Sequence, residues 1–120
     1  MHKIVHTEFV TSNPKRTADF FTELFGWEMH SMEGMEYIVW NYPDAKEGGG
    51  GIYDSKEPHT GFSTLEYIEV ENITKSLAKA VELGATVHTE EQSIGEHGYI
   101  GVFTEPGGCT IGLWAKNPSK

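Results

Sequence analysis

KIVHTEFVTSNPKRTADFFTELFGW, residues 3–27, is the stretch whose reading decides the fold. Its first part alternates. Val5, Thr7 and Phe9 share one side of a predicted strand over 3–11, and His6, Glu8 and Val10 share the other. Asn13 is a good helix cap, because its side-chain oxygen can accept from a backbone N–H of the first turn. Pro14 fits the first helical position, where a missing N–H costs nothing. Ala18, Phe21, Leu24 and Phe25 then fall on one apolar helical face, and Gly26 closes the helix. A helix covers only one side of a strand. Val5 and Phe9 are the apolar pair, so their side is expected to meet the helix, and His6 and Glu8 to point away from it.

Working outward, the same unit returns at residues 65–85, LEYIEVENITKSLAKAVELGA. Asn13 and Asn72 stand 59 residues apart, as do His6 and Leu65, and Glu8 and Tyr67. Ile73, Leu77, Ala80, Val81 and Gly84 form the packing side of the second helix. Further on, Tyr37-Ile38 matches Tyr99-Ile100, and Gly51-Ile52-Tyr53 matches Gly112-Leu113-Trp114. The chain therefore reads as one domain over 1–120 made of two duplicated modules, 1–57 and 62–116, each βαβββ. Strands are expected at 27–31, 37–42, from 51, 64–70, from 86, 99–104 and 110–114. The polar stretch 54–63 is the expected linker. The loop 93–98 carries His97, and the tail 117–120 is expected to fray. Alternation in 99–104 gives two sides, and the aliphatic Ile100 and Val102 are expected to meet the helix, leaving Tyr99 and Phe103 on the inner side.

Composition bounds the function. With 38% apolar and 12% aromatic residues the chain can bury a core. Its 18 acidic and 9 basic side chains give a net charge of −9, which argues against nucleic acid or an anionic membrane as partner. Cys109 is the only cysteine, so no disulfide forms within the chain, as suits the cytoplasm. The opening MHKIVHTEF has no apolar core of a signal peptide, and no run approaches the ~20 apolar residues of a membrane span. The glycine run 48–51 lacks both the phosphate-loop ending and dinucleotide-fold spacing, and reads as a strand entrance where backbone needs room.

The βαβββ–βαβββ order, with HTEF before the first helix, FFTELFGW ending it and EPGGCTIGLW near the close, resembles the vicinal oxygen chelate superfamily. That group covers glyoxalases, bleomycin-resistance proteins and dioxygenases. The chain resembles small bacterial members related to lactoylglutathione lyase. The resemblance implies an α+β fold, an incomplete barrel with outer helices around a cavity, and a homodimer. It also implies metal ligands on the first and last strands of each module, which here means His6 and Leu65, with Gly51 and Gly112 or the residues next to them. Only His6 is of a ligand type, and a divalent ion needs three or four N or O donors. A metal is therefore disfavoured and the cofactor stays open.

Two functions stand against each other. One is small-molecule binding, or catalysis without metal, with His6 and Glu8 as candidate catalytic acid–base residues. Tyr53, Leu65, Tyr67, Tyr99, Phe103 and Trp114 would line the substrate cavity, with His97 at its mouth. The other is a divalent-metal-dependent lyase or isomerase similar to lactoylglutathione lyase. The plain alternatives are core packing for the aromatics and solvated surface for His97.

Overall fold

The computed structural model describes residues 1–34, 36–56 and 64–120. The expected linker 54–63 lies, from residue 57 on, outside the described residues. Two units emerge: Val5–Leu65, and Met1–Ile4 together with Glu66–Lys120.

The first unit is built on β1 (Ile4–Thr11), α1 (Pro14–Phe25), β2 (Glu28–Ser31), β3 (Tyr37–Asn41) and β4 (Gly50–Asp54). The strands lie in the order β2-β3-β4-β1. β2 and β3 pair antiparallel, as do β3 and β4, while β1 runs parallel to β4 with Glu8 opposite Gly51 and Phe9 opposite Ile52. Helix α1 starts as its sequence dictates: the Asn13 side chain accepts from Arg16 N–H at 3.2 Å. It ends on Gly26, whose φ of 74° suits glycine, with the Gly26 N–H donating to Thr22 O. Ala18, Trp40 and Ile52 are buried, with Phe9, Phe21, Trp27 and Tyr42 packed around them. Trp27 and Trp40 stack with ring centres 4.1 Å apart. Three apolar expectations fail here: Leu24 is 60%, Phe25 54% and Val5 39% exposed, outside the buried cluster in which Ala18 and Phe21 pack with Phe9.

The second unit repeats the plan with β5 (Thr64–Glu69), α2 (Ile73–Glu82), β6 (Thr86–Ser93), a 3-10 turn at Gly95–His97, β7 (Tyr99–Thr104) and β8 (Thr110–Ala115). Its strand order is β5-β8-β7-β6. β5 runs parallel to β8 with Tyr67 opposite Gly112, the counterpart of Glu8 opposite Gly51. Asn72 caps α2 by accepting from Lys75 N–H at 2.9 Å. Ile73, Leu77, Val70, Leu113 and Ala115 form the core, while Val81 is 52% exposed, outside the packing side expected for it. Met1–Ile4 joins this unit: His2 N–H donates to Glu69 O and Glu69 N–H to Lys3 O, each at 2.9 Å. The tail does not fray. Ser119 N–H donates to Glu91 Oε2 at 3.1 Å, and the Ser119 hydroxyl also binds Glu91. Thr74 N–H, in the first turn of α2, reaches both Glu91 and Ser119 Oγ.

The expected facing of β7 is reversed. Tyr99 and Phe103 pack against the α2 core. Gly101 sits between them on that side, where a Cβ would stand 2.8 Å from Ile73 Cγ2. The reason is a slip of one residue in the matching of the modules. Ile38 lies opposite Ile52 in the first unit, but it is Gly101, not Ile100, that lies opposite Leu113 in the second. Tyr37 therefore corresponds to Ile100. A one-residue shift moves every side chain of a strand to the other side.

Candidate functional site

The site in the first unit begins with a glycine. On β4, Gly51 has strands on both sides, so its backbone cannot yield, and a Cβ there would lie 1.6 Å from the Tyr37 hydroxyl oxygen. Glycine leaves the slot that the Tyr37 ring fills from β3. Delivered there, the hydroxyl meets both polar residues of β1. Tyr37 Oη donates to Glu8 Oε1 at 2.9 Å, and His6 Nε2 lies 2.8 Å from Tyr37 Oη. With the tyrosine proton given to Glu8, Oη accepts from His6, which selects the Nε2–H tautomer of the imidazole. The result is one directed chain, His6 to Tyr37 to Glu8.

Burial sets the charges. It holds the His6 pKa below the ordinary 6.5, so the imidazole is neutral at neutral pH. It raises the Glu8 pKa above 4.5, opposed by the Tyr37 hydrogen bond. A neutral imidazole and a carboxyl with a raised pKa are groups that can pass a proton near neutrality.

Tyr53 follows Gly51 on the same side of β4, opposite Val10 and Tyr37, and is 50% exposed. A surface depression of about 350 Å³ lies beside this face, lined by Pro14, Glu36, Tyr37, Asp54 and Lys56 among others. It reaches Tyr37 but not His6 or Glu8, so it neighbours the polar chain and does not contain it. Leu65, at the end of this unit, is half-buried.

In the second unit the matching slot is also filled by a tyrosine. A Cβ on Gly112 would lie 2.5 Å from Tyr67 Cδ1, and Tyr67 is 8% exposed. Trp114, two residues on, donates through Nε1 to His97 O at 2.7 Å, which pins the 3-10 turn to that side. The His97 ring itself is exposed, 3.9 Å from Glu96. Tyr99 and Phe103 belong to the helix core and leave this group.

Tyr37 is the member of this hydrogen-bonded group that sequence reasoning passed over. The signal was present: a glycine inside a strand beside a tyrosine on the preceding strand is a place where an aromatic ring covers missing side-chain volume.

At the positions where metal ligands are implied, the donor set does not fit an ion. Leu65 has no donor, Gly51 and Gly112 have no side chain, and tyrosine rings occupy both glycine slots. His6 already engages Tyr37 through Nε2. Among the described residues, no group of three or more His, Cys, Asp or Glu could hold a metal ion. Nor is any helix among them long and apolar enough to cross a membrane.

The family model for the Glyoxalase/Bleomycin resistance protein/Dioxygenase superfamily matches residues 3–113. CFP32, a candidate glyoxylase of Mycobacterium bovis and Mycobacterium tuberculosis, is 27% identical over 123 residues, covering 89% of this chain. The chain spans about 43% of the length of these curated relatives. Among solved structures, the hypothetical protein BH1468 of Bacillus halodurans superimposes with a TM-score of 0.72 at 13% identity, over 96% of this chain and 94% of that one. A glyoxalase/bleomycin resistance protein/dioxygenase superfamily member from Vibrio splendidus gives 0.66 at 13% identity, over 96% and 99%. Likeness at such identity speaks for the fold alone, and the paired βαβββ modules are that fold. With the family model matched over nearly its whole length, this chain belongs to the Glyoxalase/Bleomycin resistance protein/Dioxygenase superfamily.

Proposed function

We propose that this chain binds a small molecule on the side of β1 that carries His6 and Glu8, and that it works there without the metal site its resemblance implies. The observation that carries this reading is the Tyr37 hydroxyl, seated over Gly51 and bonded to both residues. If the ligand reacts, His6 and Glu8 are the acid–base pair. Tyr53 offers it an exposed ring. Leu65 is a proposed apolar contact, and Tyr67, Trp114 and His97 are proposed contacts on the second unit's own face. The protein is further proposed to be cytoplasmic and a homodimer.

A thermal-shift screen of metabolites identifies the ligand, because binding to the native state raises the melting temperature by mass action. Glu8→Gln keeps the shape and removes the charge, and should weaken binding of that ligand at least about tenfold, a loss near 1.4 kcal/mol. Unchanged affinity in Glu8→Gln would place the site elsewhere. The second reading, a metal-dependent lyase or isomerase similar to lactoylglutathione lyase, draws on the kinship with CFP32. Stoichiometric zinc, nickel or manganese in protein purified without chelator would establish it over the first.

A further inference from the structure

We infer that the His6–Tyr37–Glu8 face is a receptor for a small organic ammonium, an amine carried on a flat apolar body. The inference rests on the binding reading above and adds the class of ligand.

An ionised carboxylate has two oxygens and about four sites for hydrogen-bond donors. Glu8 Oε1 accepts from Tyr37, and among the described residues Glu8 makes no other hydrogen bond and no ion pair. The residue is half-buried, so its carboxylate is partly removed from water. A charge in that position is costly until another charge meets it. Among the described residues of the first unit, no ion pair joins Glu8 to a cation. Lys56 is bound to Glu36 and lies 3.8 Å from Asp54, and Lys15 pairs with Asp19 at 3.3 Å. His6 is kept neutral by burial and gives its Nε2 proton to Tyr37.

The missing counter-charge is therefore one that a ligand brings. An ammonium at Oε2 supplies both a positive charge and donors of the right sense, in a charge-assisted hydrogen bond. Tyr53, half exposed and on the same side, gives the rest of the ligand an aromatic surface and the cation a favourable ring face. An anionic ligand meets the opposite situation. It would face the Glu8 carboxylate itself, within a chain of net charge −9.

The test uses one ring with three heads. Benzylamine, benzyl alcohol and benzoate are each titrated into the isotopically labelled full chain, while the Glu8 carboxyl and His6 ring signals are followed by NMR. Benzylammonium should shift both signals and bind at least about tenfold more tightly than the alcohol, with benzoate leaving both signals in place. In Glu8→Gln the preference for benzylammonium over the alcohol should disappear. Equal binding of alcohol and amine, with shifts at Glu8, overturns the ammonium class and leaves the binding site standing. Benzylammonium binding that is unaltered in Glu8→Gln also overturns it. No response at Glu8 or His6 to any of the three overturns the inference and the binding reading together.

Discussion

Glu8 carries its burial as a stability cost, and the sign of that cost makes it measurable. Its folded pKa lies above the unfolded value near 4.5, so the folded chain holds the proton more tightly. Stability is then highest below that unfolded value and falls as pH rises through the folded one. Glu8→Gln removes the fall, so the variant should melt above the wild type at pH 7, with the gap closing toward about pH 4. A variant melting below the wild type at pH 7 would mean that the carboxylate is better compensated than its single hydrogen bond indicates. Gly51 is the second residue whose substitution is decisive. A methyl group there meets the Tyr37 oxygen at 1.6 Å and its Cζ at 2.0 Å. Gly51→Ala should cost roughly 1–3 kcal/mol in urea unfolding, the range of overpacking, and should release His6 from the Nε2–H tautomer in 15N spectra. A variant of full stability with an unchanged His6 spectrum would show that the ring is not confined by that slot.

At the scale of elements, each helix is defined by its ends more than by its middle. Asn13 and Asn72 both cap through a side-chain oxygen, and α2 receives further acceptors at Thr74 N–H from Glu91 and Ser119. Among the described residues α1 shows no such reinforcement: Pro14 has no N–H, and the Asn13 side chain serves Arg16 N–H. Asn13→Ala should therefore cost about 1 kcal/mol in urea unfolding. A cost below a few tenths would mean that water replaces the cap fully. Strand β3 shows how an element divides its work. Ile38 and Trp40, with Tyr42 just past the strand's end, pack with the aromatic core under α1, while Tyr37 faces the polar chain. Trp40 is 3% exposed and its Nε1 has no hydrogen-bond partner among the described residues, so the cluster carries an unsatisfied donor.

For the whole molecule, the open matter is association. Phe20, Leu24 and Phe25 on α1, and Val81 and Leu83 at the end of α2, are each more than half exposed. Scattered apolar residues are ordinary on a monomer, yet this number is also what an interface would use. The proposed homodimer should sediment at twice the 13.4 kDa chain mass at micromolar concentration. A species at the chain mass would refute it.

The two duplicated units, both Asn caps, the Gly26 stop and most strand limits follow from the sequence, because each rests on a local rule: alternation, helical spacing, capping or punctuation. The division of β1 into a Phe9 side and a His6–Glu8 side was equally legible, since only one side is apolar. Three features were decided by tertiary structure. Alternation in β7 defines two sides but not which one meets α2. The close approach of Ile73 and Leu77 to Gly101 chose the side that carries Tyr99 and Phe103. The tail is ordered because Glu91, far back in the chain, receives Ser119. Tyr37 joined the site because pairing across β3, β4 and β1 brings its ring over Gly51 and its hydroxyl between His6 and Glu8. Local pattern sets the sides of a strand, but only packing between elements sets which side chain fills the space beside another.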